Sequence, residues 1–300
     1  LSARLSRPLA LKPRQITQRR LVGWRARLLA GGFLVFLLAF MTLPLLGLAG
    51  RSFYGLDSGR ERSGEVQTGP TLAYYRALNE SRRSSLFYAP PAMSIAISLG
   101  YAAATVVLAV GLGLPAALAL SSQRESRLSR LLDPLFMLPL GTSAVTLGLG
   151  FIVALDQPPL DLRSSPLLVP LAHTLVAFPF VVRSLAPALR SIRPRIRQAG
   201  AVMGASPMQV FLRIDLPMVG RALTIAATFA FTISLGEFGA TALIARPEYP
   251  TLPVAIYRFI SQPGAMNYGQ AIALSTLLML ITAAGMLAIE RLRFAEVEEF

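Results

Sequence analysis

The chain has 300 residues, with 29 Lys and Arg against 15 Asp and Glu, so its formal net charge is +14. Apolar residues make up 54% and charged residues only 15%, against roughly 25% charged in a typical soluble domain. Such a chain could not cover its surface with polar groups in water, so we predict an all-α polytopic membrane protein.

Counts of single residue types exclude several classes of functional site. The chain has no Cys, which excludes disulfides, thiolate metal sites and cysteine nucleophiles. Its one histidine, His173, excludes a two-histidine metal site, and its one lysine, Lys12, lacks the preceding glycines of a nucleotide-binding P-loop. We therefore predict no metal, no cofactor and no catalytic residues, so the chain is not an enzyme and its driving energy comes from elsewhere.

The apolar residues form long blocks that predict six transmembrane helices. A helix needs about 20 apolar residues to cross the hydrocarbon core of a bilayer. Residues 1–27 are a basic tail, residues 28–292 form the membrane domain, and residues 293–300 are a second tail. The predicted spans are 28–49, 93–120, 134–155, 164–182, 222–245 and 271–289.

The distribution of Arg and Lys predicts the orientation. Twenty of the basic residues lie in the two tails, the loop between spans two and three, and the loop between spans four and five. The positive-inside rule places both termini in the cytoplasm, and it explains the net charge without a nucleic-acid partner. The chain opens on Leu rather than Met. We expect either a missing initiator or a longer polypeptide, in which residues 1–27 would be a cytoplasmic linker.

The loop between spans four and five contains a predicted capped helix. Gly204 can take the left-handed conformation that closes a preceding helix. Ser206 is placed as the N-cap, Pro207 as the first helical residue, and Gln209 completes a capping box. Leu216-Pro217 is predicted to end this helix. The apolar side of this helix carries Met208, Phe211 and Leu212. Either lipid headgroups or a protein partner must bury that side.

The same loop, about residues 190–217, resembles the EAA signature of binding-protein-dependent ABC importer permeases, E-A-A-x3-G-x9-I-x-L-P. Gln198 replaces the acid of the signature and Gly200 replaces its second alanine. The similarity covers about residues 84–292. The matching positions are Gln198, Ala199, Gly200, Gly204, Ile214, Leu216 and Pro217.

The resemblance implies a type I (MetI-like) permease fold in the bacterial inner membrane. It also implies that the loop docks on a separate ABC ATPase subunit, present in two copies, with residues 204–211 as the contact and Met208 and Phe211 as its apolar anchors. A second permease half, either a copy or a fused homologue, and a periplasmic or lipoprotein substrate-binding protein are the other expected partners, besides membrane lipid.

Glu237 is the only acid well inside a predicted span. An ionisable group there is expensive and normally faces a bundle interior or water. Glu237 is therefore expected either to line the pathway or a gate, or to be a structural hydrogen-bonding partner. Gly236 and Gly239 would let another helix approach closely. For His173 we favour a satisfied contact between helices over a ligand site.

The sequence around Glu237 also bears on the transported solute. The run Leu235-Gly-Glu-Phe-Gly239 resembles permeases for thiamine, iron(III), molybdate or sulfate. The later Thr251-Leu-Pro, with the aliphatic and aromatic stretch after it, resembles most the permeases for thiamine and iron(III). The alternative function is a secondary transporter or channel subunit that ATP does not drive. One acid and one histidine in six spans are sparse for ion coupling, and internal inverted repeats are not evident.

Overall fold

A computed structural model describes residues 23–55, 69–80, 90–121, 127–158, 161–163 and 165–295, with the backbone alone at 127–130 and 292–295. Residues 1–22 of the predicted basic tail, the arginine at 124 and the last five residues lie outside this part. Within it the structure is helical, and the one β-bridge pairs Tyr54 with Pro70.

Thirteen α-helices are described. They are α1 (Trp24–Ser52), α2 (Ala73–Ala77), α3 (Met93–Ser121), α4 (Arg127–Met137), α5 (Ala144–Ala154), α6 (Leu168–Ser191), α7 (Pro194–Val202), α8 (Pro207–Val210), α9 (Leu216–Met218), α10 (Gly220–Gly236), α11 (Thr241–Ile244), α12 (Leu252–Ile260) and α13 (Ala265–Ala295). A 3₁₀ turn, Leu138–Gly141, follows α4, and a π-helical turn, Phe211–Asp215, joins α8 to α9.

The described helices confirm the all-α membrane fold. Four of them, α1, α3, α6 and α13, are long and apolar enough to cross a membrane, and two further pairs reach that length only if each bent pair is one span. The chain divides into two compact units, Leu1–Leu48 and Ala49–Phe300. The first contains most of α1, a continuous 29-residue helix that has Pro44 in its interior.

The third predicted span, 134–155, is not one straight helix, which corrects the sequence prediction. Its two halves, Leu131–Gly141 and Ala144–Ala154, meet at an angle of 106°. Pro139 lies in the 3₁₀ turn, and Thr142 and Ser143 after it are extended. Because two extended residues cannot continue a helical hydrogen-bond ladder, the chain turns there.

The fifth predicted span, 222–245, is also interrupted. α10 ends at Gly236, Glu237 is extended, and the short helix α11 begins only at Thr241. At its other end, Pro207–Met218 bends by 72° into α10. The fourth span runs further than predicted, to Ser191, and α12 was not predicted as a separate helix.

The second unit is built around α3, α6 and α10. Alanines dominate their contact surfaces, which include Ala109, Ala177, Ala226 and Ala230, all fully buried. A Cβ at Gly113 would come within 2.5 Å of the Val181 side chain, so a small residue is needed where α3 crosses α6. A second cluster joins α2, α12 and α13 through Tyr74, Leu252, Phe259 and Leu274.

Candidate functional site

The EAA segment, residues 190–217, begins with a helix that ends as predicted. α7 starts at Pro194 after the extended residue Arg193. At its other end Gly204 has φ +83°, with its N–H donating to the Ala201 carbonyl and the Ala205 N–H donating to the Gly200 carbonyl. This pair of bonds is the Schellman arrangement, in which glycine adopts the left-handed conformation at the lowest cost.

The second helix of the EAA segment has the predicted capping box. The Ser206 hydroxyl accepts from the Gln209 N–H at 3.3 Å, and the Ser206 N–H donates to Gln209 Oε1 at 2.8 Å. Pro207 stands at the first helical position, where its missing N–H costs nothing. Two helices therefore meet at a sharp turn around Gly204, and local sequence alone fixes the geometry of that turn.

The prediction that Leu216-Pro217 ends this helix is wrong. The chain passes through the π-helical turn Phe211–Asp215 into α9, and the bend comes at Val219. A π-helical turn shifts the hydrogen-bonding register by one residue. Pro217, which has no N–H to donate, is accommodated by this shift without breaking the helix.

An ion pair links the two halves of the EAA segment. Arg197 Nε on α7 donates to Asp215 Oδ1 at 2.7 Å, and Asp215 is 6% exposed. Beside it, a Cβ at Gly200 would approach Ile214 Cδ1 to 2.9 Å, so the glycine that replaces the second alanine of the signature permits this packing. Sequence analysis missed Arg197 and Asp215. Asp215 is the only acid among the arginines of this loop, which was the available signal.

The turn of the EAA segment presents exposed apolar side chains. Val202 and Met203 are each 88% exposed, Met208 is 64% exposed and Leu212 is 51% exposed. Of the two predicted anchors, Met208 is on this surface, whereas Phe211 is half-buried. Val202 and Met203 were missed, although an apolar pair directly before a helix-closing glycine was visible in the sequence. We call the surface formed by Val202, Met203, Met208 and Leu212 the apolar tip.

The other predicted positions of the signature lie around the apolar tip. Gln198 and Ala199 are exposed on α7, and Ser206 and Pro207 are exposed at the start of α8. Ile214 and Leu216 are half-buried, and Pro217 is exposed.

The predicted pathway residues lie at the interruption between α10 and α11. Glu237 is 8% exposed, and its carboxylate accepts from the N–H groups of Ala240 and Thr241 at 3.1 and 3.2 Å. Gly236 is exposed, and a Cβ at Gly239 would come within 3.1 Å of Ala144 Cβ on α5. Glu237 is thus bound to the backbone of the interruption itself, and whether it also lines a pathway stays a prediction.

His173 makes the predicted contact between helices. It lies on α6 with no exposed surface, and its two ring nitrogens meet Ser234 of α10 and Thr241 of α11. Among the described residues, no three His, Asp or Glu side chains come together as they would to hold a metal ion.

Residues 109–293 match the sequence model of the family described as "Binding-protein-dependent transport system inner membrane component". The matched range holds the whole EAA segment, the interruption at Glu237 and His173. It also holds most of the helices that form the second unit.

Two curated relatives illustrate the similarity. The putative 2-aminoethylphosphonate transport system permease protein PhnV of Salmonella typhimurium is 32% identical over 177 residues, which are 59% of this chain and 65% of the relative. The molybdenum transport system permease protein ModB of Mycobacterium tuberculosis is 35% identical over 189 residues, which are 58% of this chain and 69% of the relative. The chain therefore spans just under two thirds of the PhnV relative.

Solved structures share the fold at low identity. An inward-facing structure of the MetNI methionine ABC transporter matches with a TM-score of 0.57 and 19% identity, over 68% of this chain and 95% of that chain. A bacterial alginate ABC transporter, in complex with an alginate pentasaccharide-bound periplasmic protein, matches with a TM-score of 0.65 and 16% identity, over 89% of this chain and 92% of that chain.

Proposed function

Because the chain belongs to the family of binding-protein-dependent transport system inner membrane components, we propose that it is the permease subunit of an ABC importer. It forms half of a translocation pathway for a small solute, and the EAA segment couples it to a separate ATPase subunit. Hydrolysis of ATP belongs to that partner, since the single lysine of this chain, Lys12, lies outside any P-loop.

The apolar tip carries the proposal. Four exposed apolar side chains stand at a sharp turn between two helices, on a segment that is otherwise rich in arginine. Exposed apolar clusters of this kind mark protein interaction sites. An apolar helix face of this size suits a groove on a partner. The apolar tip is held rigid by the capping box, the Schellman turn and the Arg197–Asp215 pair. A displacement of the tip by a partner therefore moves α10 and α6, the helices on either side of the EAA segment.

The proposed role as a permease subunit also implies the other partners. The six predicted spans would enclose no convincing solute path, so a second permease half is expected, either a copy of this chain or a fused homologue. Two ATPase subunits would then dock on the two EAA segments. A periplasmic or lipoprotein binding protein delivers the solute, and both termini lie in the cytoplasm. The second candidate function, a secondary transporter or channel, predicts no associated ATPase.

Two solute classes have support. The run at Thr251–Pro253, with the aliphatic and aromatic stretch after it, favours thiamine or iron(III). The relatives instead carry the names of systems for 2-aminoethylphosphonate, molybdenum and sulfate, which favours a small oxyanion. Titration of the cognate binding protein with thiamine, iron(III), molybdate, sulfate and 2-aminoethylphosphonate decides between the classes.

Copurification tests the coupling function. The tagged chain, purified from its own membranes, is expected to retain an ATP-hydrolysing subunit. Met203→Asp should reduce the retained ATPase by about tenfold or more, because it places a charge at the centre of a desolvated contact. Met203→Leu, which keeps the apolar surface, should retain it. An ATPase that is absent from the wild-type preparation, or fully retained by the double variant Met203→Asp/Met208→Asp, contradicts the proposal.

A further inference from the structure

His173, Thr241 and Glu237 form a continuous polar chain inside the second unit. His173 Nε2 lies 2.6 Å from Thr241 Oγ1, and Thr241 Oγ1 donates to Glu237 Oε2 at 3.0 Å. The imidazole and the carboxylate are 3.8 Å apart, too far for a direct hydrogen bond, so the Thr241 hydroxyl bridges them. We call these three residues the polar latch.

The Thr241 hydroxyl and the His173 ring each have hydrogen-bond partners on more than one side. A threonine hydroxyl has a single hydrogen, and that of Thr241 faces two acceptors on Glu237, the carboxylate oxygen Oε2 at 3.0 Å and the backbone carbonyl oxygen at 3.2 Å. When that hydrogen points at Glu237, Thr241 Oγ1 accepts from His173, with the imidazole in its Nε2–H tautomer. On the other side of the ring, Nδ1 lies 2.8 Å from Ser234 Oγ, which in turn lies 3.2 Å from Thr105 Oγ1 on α3. The ring is held from both sides.

The carboxylate at the end of the polar latch holds the interruption between α10 and α11. Glu237 accepts from the Ala240 and Thr241 N–H groups, which have no helical acceptor of their own at the start of α11. Without this carboxylate, two backbone donors would be left unpaired in a buried, apolar setting. Because Thr241 also donates to the same carboxylate, His173 indirectly fixes where the carboxylate points.

The interruption also contacts the other bent pair. A Cβ at Gly148 would come within 2.8 Å of Ala240 Cα, and one at Gly239 within 3.1 Å of Ala144 Cβ. The start of α5, just after its 106° bend, therefore packs on residues 239 and 240. Non-helical backbone at membrane depth is tolerated where it is buried in protein or lines a water-filled cavity.

We propose that His173 is a positioning residue that keeps this interruption closed, acting through Thr241 on Glu237. Loss of the Nε2 hydrogen bond frees the Glu237 carboxylate, and the backbone of residues 237–240 then opens more often. The proposal rests on the proposed function only in treating the interruption as part of the transport route. The test below needs no ATPase, so its failure and a failure of the coupling function are separate results.

Cysteine labelling measures the opening, since the chain has no native cysteine. Leu235 lies one residue before the end of α10 and has no exposed surface, so a cysteine that replaces its larger side chain is shielded from water while the interruption is closed. The labelling rate with a water-soluble maleimide, in open membrane fragments containing the full chain, reports the open population. Gly69→Cys, at a site with free space for the side chain, is the control variant.

Two substitutions at His173 separate hydrogen bonding from packing. The amide nitrogen of Gln reaches the place of Nε2, whereas that of Asn reaches only the place of Nδ1. In the Leu235→Cys background, His173→Asn is expected to raise the labelling rate about threefold to tenfold, the range of single hydrogen bonds between membrane helices. His173→Gln should stay within about twofold of the parent, and labelling in the Gly69→Cys background should not respond to either change.

Substitutions at Thr241 provide a second, independent pair of variants. Thr241→Val removes the bridging hydroxyl without changing the shape of the side chain, and Thr241→Ser retains it. Thr241→Val should raise the labelling at position 235 as His173→Asn does, and the double variant should be no faster than the faster single variant. Equal labelling for His173→Gln and His173→Asn, or an unchanged rate for Thr241→Val, overturns the proposal. If a His173 variant does not fold, the Thr241 pair decides alone.

Discussion

Gly204 is the residue on which the shape of the EAA segment depends most directly. Its φ of +83° is in the left-handed region, and no atom lies within 4 Å of where its Cβ would be. The requirement is therefore conformational and not steric. Two hydrogen bonds at the end of α7 form only when this residue is left-handed, and the direction of α8 follows from them.

We predict that Gly204→Val misdirects the apolar tip. The left-handed conformation costs an ordinary residue roughly 1–2 kcal/mol, and a β-branched residue is the least suited to it. Transport-coupled ATP hydrolysis in the reconstituted complex should fall, while the amount of chain inserted in the membrane stays the same. Gly204→Asn is the control, because Asn tolerates this conformation. Full coupling in the valine variant would contradict the assigned role of the turn.

The two bent pairs are the elements whose contact shapes the second unit. α5 approaches residues 239 and 240 so closely that Gly148 has no room for a side chain, whereas Gly150, two residues further along the same helix, faces open space. In the EAA segment, Arg197 and Asp215 bind the two halves to each other. Side-chain contacts thus stabilise the bent pairs where the backbone hydrogen bonds of a straight helix are lost.

Gly148→Ala should destabilise the protein, and Gly150→Ala should not. The new Cβ would overlap the Ala240 backbone at 2.8 Å, and overpacking of this kind costs about 1–3 kcal/mol. Thermal unfolding in detergent measures the difference as a lower Tm for the Gly148 variant alone. The two variants add the same methyl group to one helix, so equal Tm values would show that α5 and the interruption do not pack as described.

At the level of the whole molecule, the topology depends on whether the bent pair of residues 131–154 crosses the membrane. Its 106° angle suits either a broken span or a segment that turns back. If it crosses, residues 69 and 203 lie on opposite faces. If it turns back, α6 starts from the other side, and the two residues lie on the same face. With residue 69 on the outer face, as the predicted orientation places it, the proposed contact with an ATPase requires the first arrangement.

Labelling from one side distinguishes the arrangements. In spheroplasts, an impermeant maleimide is expected to react with the Gly69→Cys variant but to reach the cysteine of Met203→Cys only after the membrane is permeabilised. Both positions accept a cysteine, since residue 69 has free space and Met203 is 88% exposed. Reaction of both variants in spheroplasts would place the apolar tip outside the cell and exclude its contact with a cytoplasmic ATPase.

Local sequence patterns determined the apolar spans, the capping box at Ser206 and the turn at Gly204, because the interactions that form them join residues at most a few positions apart. The tertiary structure alone decided the bends in the third and fifth spans, the Arg197–Asp215 pair and the polar latch. His173 and Thr241 are 68 positions apart in the chain. Which polar groups meet over that distance depends on how the helices pack, and no periodicity in the sequence encodes it.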